Sequence, residues 1–145
     1  MSVSLRVEIF PADLDATADF YVRVLAFQIV RDERDGDPPY LAVQRDGVLI
    51  GAAQRPGAGG QGSRRPPVGA EIVLETDDVE REYARVVATR WPLAAELTHQ
   101  PWGLLDFRLL DPSGYYLRLT ESTRPGGPEE RRPTADRQRS GAPHA

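Results

Sequence analysis

Between Gln100 and Thr120 the chain reads Gln-Pro-Trp-Gly-Leu-Leu-Asp-Phe-Arg-Leu-Leu-Asp-Pro-Ser-Gly-Tyr-Tyr-Leu-Arg-Leu-Thr. This is a strand, a tight turn and a second strand. Leu105, Phe107 and Leu109 alternate with Asp106, Arg108 and Leu110, the period of two of a half-buried strand. Asp111-Pro112-Ser113-Gly114 has the chemistry of a turn: Pro112 presets φ, Asp111 bonds the backbone ahead of it, and Gly114 tolerates φ > 0. Tyr115–Thr120 alternates again. A fainter copy occurs earlier, where Tyr40–Gln44 and Val48–Ala53 flank Arg45-Asp46-Gly47 and Asp-Gly is a strong hairpin signal.

The copy extends upstream. Val3–Phe10 alternates, with Val3, Leu5, Val7 and Ile9 on one side and Ser4, Arg6, Glu8 and Phe10 on the other. Asp13 is a good N-cap, and Leu14–Leu25 has helical spacing, with Leu14, Ala18, Tyr21, Val22 and Leu25 on one stripe. A short strand is expected at Gln28–Asp32. In the second half, Ala70–Glu75 reads as a strand. Asp77 is expected to cap a helix with Glu80 in an Asp variant of the capping box, and Val79, Tyr83, Val86 and Val87 form its stripe. Ala94–His99 reads as a strand before the closing hairpin. A shift of 65 residues places Asp13-Leu14 on Asp78-Val79, and a shift of 67 places Asp46–Ile50 on Ser113–Leu117. The expectation is an α+β fold of two βαβββ modules, 1–54 and 69–121. The Gly/Pro-rich segment 55–68 is read as a mobile linker, and 122–145, almost devoid of apolar residues, as a disordered tail.

Composition removes several function classes. No run approaches the roughly 20 apolar residues of a membrane span. The strand pattern begins at once, so no signal peptide is expected, and the absence of cysteine excludes disulfides and thiol chemistry. Both observations favour the cytoplasm. All 18 basic residues are arginine, which excludes a Schiff-base or phosphate-loop lysine. Residues 122–145 hold five arginines against three acids, leaving the body with 13 basic and 19 acidic residues, a net charge of −6. Such a body argues against nucleic-acid binding.

The order and spacing of Pro11-Ala12-Asp13-Leu14, Phe20-Tyr21, Leu25-Ala26-Phe27, Asp77-Asp78-Val79, Pro101-Trp102-Gly103, Phe107 and Asp111-Pro112-Ser113-Gly114 resemble the vicinal oxygen chelate superfamily. That superfamily comprises glyoxalase I, extradiol dioxygenases and the bleomycin-resistance proteins. Pro-Trp-Gly ahead of Asp-Pro-x-Gly is most similar to the bleomycin-resistance branch. The resemblance covers about residues 3–121. It implies curved, mixed-sheet half-barrels with modules paired across a homodimer, and, in the metal-dependent members, four ligands from the first and last strands of each module.

Carried over by this resemblance, the ligand positions are Arg6, Gly51, Glu71 and Arg118. Arginine offers no lone pair and keeps its proton, and glycine has no side chain, so Glu71 alone of the four is able to ligate a divalent ion. The expectation is therefore no metal and no cofactor. With those positions facing the cup, period two turns Arg6, Glu8 and Phe10 inward, with Glu71, Tyr116 and Arg118 opposite and Trp102 and Tyr40 at the margins. The charges either neutralise one another or orient a flat or amphipathic ligand held by the aromatics. The resemblance thus implies a cytoplasmic homodimer that sequesters a natural product such as a bleomycin-like glycopeptide, an enediyne or a quinone. The alternative is a lyase, isomerase or dioxygenase of the same superfamily, either metal-dependent or metal-free with His99 or Glu71 as its base.

Overall fold

The structure, a computed structural model, describes residues 2–57, 60, 62 and 64–123. The tail predicted at 122–145 lies, from residue 124 on, outside the described residues. Two four-stranded sheets repeat one plan. In the first, β1 (Arg6–Ile9), β2 (Gln28–Glu33), β3 (Tyr40–Arg45) and β4 (Val48–Ala53) stand in the order β1-β4-β3-β2. In the second, β5 (Ile72–Thr76), β6 (Leu93–His99), β7 (Leu105–Leu110) and β8 (Tyr116–Glu121) stand in the order β5-β8-β7-β6. The first strand of each module pairs in parallel with the last, and the other pairings are antiparallel. The two βαβββ modules expected from the sequence are present.

β1 is shorter than the alternation from Val3 suggests. It pairs with β4 only from Arg6 opposite Leu49 to Ile9 opposite Ala52. Val3 and Leu5 lie beyond the ladder and are 97% and 77% exposed. The first helix covers the expected span in two forms: α1 (Leu14–Asp19) is α-helical, and Phe20–Val24 continues it as a π-helical turn. Leu25 N–H donates to Phe20 O, five residues back. That extra residue rotates the stripe. Phe20, Tyr21, Val24 and Leu25 are buried, whereas Val22, placed on the stripe by a 3.6-residue period, is exposed.

The cap of α2 (Val79–Ala88) is Asp78, not Asp77. Its Oδ1 accepts from Arg81 N–H at 3.0 Å, so the box expected between Asp77 and Glu80 does not form. The register follows the repeat, since Asp13 caps α1 in the same way by accepting from Ala16 N–H. Val87, expected on the apolar stripe of α2, is 45% exposed, while Val79 and Val86 are buried.

A single core joins the modules through their helix-covered faces. Ile9, Leu41, Val43 and Ile50 of the first sheet share it with Phe107, Leu109, Leu117 and Leu119 of the second. Phe20 packs against Trp91 with ring centroids 4.8 Å apart, and Trp91 Nε1–H donates to Leu110 O. Arg45, beside the first hairpin turn, donates to the buried carboxylate of Glu82 on α2, which also accepts from Arg85. The linker's arginines dock: Arg55 lies 4.2 Å over the Phe10 ring, Arg64 4.1 Å over the Tyr115 ring, and Arg65 donates to Ala94 O.

The closing hairpin does what its composition implies. Asp111 Oδ1 accepts from the N–H groups of Ser113 and Tyr115, and Gly114 takes φ +83. Its other oxygen accepts from the Tyr21 hydroxyl at 2.9 Å. Asp111 is fully buried, and burial raises its pKa against the opposing effect of these donors. The turn is thereby the lock between the modules.

Candidate functional site

With the helices on one face of each sheet, the site expected from the sequence falls to the other faces, which the resemblance implies are curved into a cup. Registers give their layout because residues opposite one another share a face. In the first sheet one row across the strands is Glu8, Gly51, Ala42 and Arg31, flanked by Arg6, Leu49 and Gln44 on one side and Ala53 and Tyr40 on the other. In the second sheet the matching row is Val73, Arg118, Arg108 and Ala95. It is flanked by Tyr116 opposite Leu110, and by Glu75, Thr120, Asp106 and Thr98.

The first face has a floor of small residues. Ala42 and Gly51 are buried, and a Cβ built on Gly51 overlaps the Tyr40 hydroxyl and both Glu8 carboxylate oxygens. Tyr40 Oη donates to Glu8 Oε1 at 2.9 Å, and Arg6 Nε lies 2.8 Å from that same oxygen. Arg31 stacks 5.2 Å from the Tyr40 ring centroid. Burial, with Glu8 adding to it, pushes the Tyr40 phenol above its ordinary range.

The second face is floored by charge. Arg118 Nε lies 3.1 Å from Glu71 and its Nη1 4.0 Å from Asp106, while Arg108 Nη2 lies 3.6 Å from Asp106. Asp106 is fully buried, its Oδ1 fixed by Gln100 Nε2 at 2.8 Å. Arg108 is held charged first by the Tyr116 hydroxyl, against the cost of burial, and then by Asp106. Trp102 projects from the β6–β7 loop, 55% exposed, where Gly103 takes φ +90.

The expected site residues fall into two groups. Arg6, Glu8 and Tyr40 meet on the first face, and Glu71, Tyr116 and Arg118 on the second, with Trp102 in the loop that supplies Gln100. Phe10 lies past the end of β1, under Arg55, with its N–H donating to Tyr115 Oη, so it belongs to the junction between modules. Tyr116 is buried and supports Arg108 more than it presents a surface. His99 sits opposite Leu105, which packs on the core, and so points from the helix-covered face of β6. Asp106 and Arg108 escaped the reading of the sequence. Their signal was available, since both alternate with Leu105, Phe107 and Leu109 and therefore share the face of Arg118 across the turn.

A divalent metal does not fit these residues. The resemblance carries the four positions over as Arg6, Gly51, Glu71 and Arg118, but the residues directly beside Gly51 and Arg118 on the parallel partner strands are Glu8 and Val73, which corrects Arg6 and Glu71 by one pleat in each first strand. Glycine and valine supply no donor, and Tyr40 and Glu8 already occupy the space above Gly51. The guanidinium of Arg118 repels a cation. Among the described residues no three His, Cys, Asp or Glu side chains gather to hold an ion.

The chain belongs to the Glyoxalase/Bleomycin resistance protein/Dioxygenase superfamily, whose family model matches residues 4–119. No curated protein matches it in sequence. Among solved structures it is similar to a bleomycin resistance determinant encoded on the transposon Tn5, at 23% identity and a TM-score of 0.67, over 85% of this chain and 100% of that one. It is also similar to a bleomycin-binding protein complexed with bleomycin, at 23% identity and a TM-score of 0.66, over 83% and 99%. TioX from Micromonospora sp. ML1 resembles it at 19% identity and a TM-score of 0.65, over 83% and 98%. At these identities the likeness is one of fold. No helix among the described residues is long and apolar enough to cross a membrane.

Proposed function

We propose that this chain is a binding protein that sequesters a hydrophobic or amphipathic natural product, without metal or covalent chemistry. The observation that carries this reading is the fate of the chelating positions. Where the superfamily's metal enzymes keep ligands, this chain has a glycine filled by a tyrosine–glutamate pair and an arginine paired to acids. What remains is a small-residue floor beside an aromatic ring and, on the other sheet, an ordered set of polar groups. Such a lining holds a flat molecule by its faces and orients it by its edges.

The two concave faces work together across a homodimer in this reading. The ties between modules in one chain, Tyr21 to Asp111, Phe20 to Trp91 and Arg45 to Glu82, all lie on the helix side. A second copy then supplies the facing half of each cup. The fold shared with a bleomycin-binding protein makes bleomycin-type glycopeptides, enediynes and quinones the first classes to screen.

Fluorescence tests the reading directly. Trp91 is fixed against Phe20 and Leu110, while Trp102 is open. A ligand from the screen should quench Trp102, and Trp102→Phe should remove the quenching. Unchanged quenching in Trp102→Phe would place the ligand elsewhere. A stoichiometric divalent ion in the purified protein would instead favour a metal-dependent enzyme. Sedimentation velocity checks the dimer.

A further inference from the structure

The exposed face of the second sheet carries a cluster of charged side chains whose hydrogen-bonding capacity is only partly used within the protein. Five buried side-chain atoms among the described residues have no hydrogen-bond partner, and four belong to this one cluster: Nε of Arg108, Nε of Arg118, Oδ2 of Asp106 and Oε1 of Glu71. Buried polar atoms are nearly always paired, so a concentration of unpaired ones on one face marks a surface completed by something else.

We propose that the ligand's polar end is a planar oxyanion, a carboxylate or its equivalent, gripped by Arg108 and Arg118; this rests on the binding reading above. The two arginines stand directly opposite one another on β7 and β8. Two like charges at that spacing repel unless an anion lies between them or beside them. Asp106 fills that role only in part. At 3.6 and 4.0 Å its single charge offsets one of the two guanidiniums, and it is too far away to accept their hydrogen bonds. Glu71 approaches Arg118 Nε at 3.1 Å without the alignment of a hydrogen bond.

Depth decides which charge an incoming molecule meets. The Asp106 side chain is 1% exposed and pinned by Gln100, whereas Arg108 and Arg118 are each 24% exposed. The carboxylate therefore lies beneath the guanidiniums and holds them upright. Glu71, 25% exposed, is already engaged at the β5 side of Arg118. A guanidinium presents five donors in a rigid fork that matches a carboxylate in a bidentate manner. Asp106 acts as a positioning residue for that fork, and Arg108 and Arg118 determine specificity.

Three probes with one flat ring system test this on the full chain: naphthalene-2-carboxylate, its methyl ester, and 2-naphthylmethylammonium. Affinities are measured by calorimetry. The carboxylate should bind on the order of tenfold tighter than the ester, and the ammonium most weakly. R108Q and R118Q should each bring the carboxylate down to the ester's level. R118K, which keeps the charge and loses the fork, should retain part of the preference and guards against misfolding in R118Q. D106N, which removes the charge that holds the two forks upright, should weaken the carboxylate several-fold and leave the ester's affinity unchanged; a tightened carboxylate would overturn the positioning role. Equal binding of carboxylate and ester, tightest binding of the ammonium, or a preference that survives both glutamine variants would overturn the inference while leaving the cup intact. Binding of none of the three would overturn the inference and the cup reading together.

Discussion

The two modules share a strand order but not a surface. At matching places in the ladder, β4 of the first module carries Gly51 and β8 of the second carries Arg118. β3 carries Ala42 where β7 carries Arg108. The first face has been emptied and its central space given to one tyrosine–glutamate hydrogen bond. The second has been filled with charge over a buried aspartate. A duplicated βαβββ unit fixes backbone and core, since the residues of the shared core stay apolar in both copies. The concave faces are free of that constraint and diverge. The turns diverge too. Asp46-Gly47 is an exposed two-residue tip with Asp46 at φ +48, while Asp111–Gly114 is buried and bonded to the other module.

The sharpest way to break this comparison is at the turns. Asp111→Ala leaves the N–H groups of Ser113 and Tyr115 and the hydroxyl of Tyr21 without their acceptor, all of them in or near the core. A loss of about 3–5 kcal/mol is expected, since each stranded buried donor costs roughly 1–3 kcal/mol. Asp46→Ala, at an exposed tip with positive φ, should cost only about 1 kcal/mol. Urea midpoints of the two variants measure the contrast, and comparable losses would show that the turns are equivalent after all. Next in size is Gly51→Ala. Its Cβ meets the Tyr40 hydroxyl and Glu8, and such overpacking costs about 1–3 kcal/mol. In a Tyr40→Phe background the added cost should shrink because one of the two obstacles is gone. An undiminished cost would mean that the glycine is needed for its backbone alone.

Much of the fold was legible because the core-facing periodicity is local. The hairpin alternation, the Asp-Pro-Ser-Gly turn and the cap at Asp13 each act within a few residues, and the repeat supplied the order. What escaped was not local. The π-helical turn at Phe20–Val24 leaves Val22 out and Val24 in, and the two rings it turns inward, Phe20 and Tyr21, meet Trp91 and Asp111, which are distant in sequence. Asp78 wins over Asp77 as cap because the strand pairing of β5 runs on to Thr76, opposite Glu121, which sets where the helix starts. The candidate site was half legible. Parity placed Arg6, Glu8, Glu71 and Arg118 on concave faces, but it could not show that Phe10 falls past a strand end. Nor could it show that Gly51 is small because Tyr40, eleven residues earlier and paired one step along the ladder, reaches over it.

The smallest expected effect is also the most specific test of the emptied face. Tyr40→Phe removes a single partly buried hydrogen bond to Glu8 and should cost about 1 kcal/mol at neutral pH. The effect should depend on pH with a definite sign. The folded protein holds the Tyr40 phenol above its ordinary value of about 10, through burial first and Glu8 second. The protonated phenol is therefore favoured by folding. Its contribution is fully present below the unfolded tyrosine's pKa and is lost as pH rises through the folded one. The stability advantage of the native chain over Tyr40→Phe should thus be flat near neutrality and shrink in strongly alkaline buffer. A matching tyrosine absorbance titration should lose one late-ionising phenol in the variant. Tyr21, buried and bonded to Asp111, is raised further still and serves as the internal control, since its titration should be unmoved by a change on the opposite face of the sheet. An advantage that grows with pH would mean that Glu8 and Tyr40 do not share the hydrogen bond that fills the space over Gly51. The first face would then lose its distinction from the second.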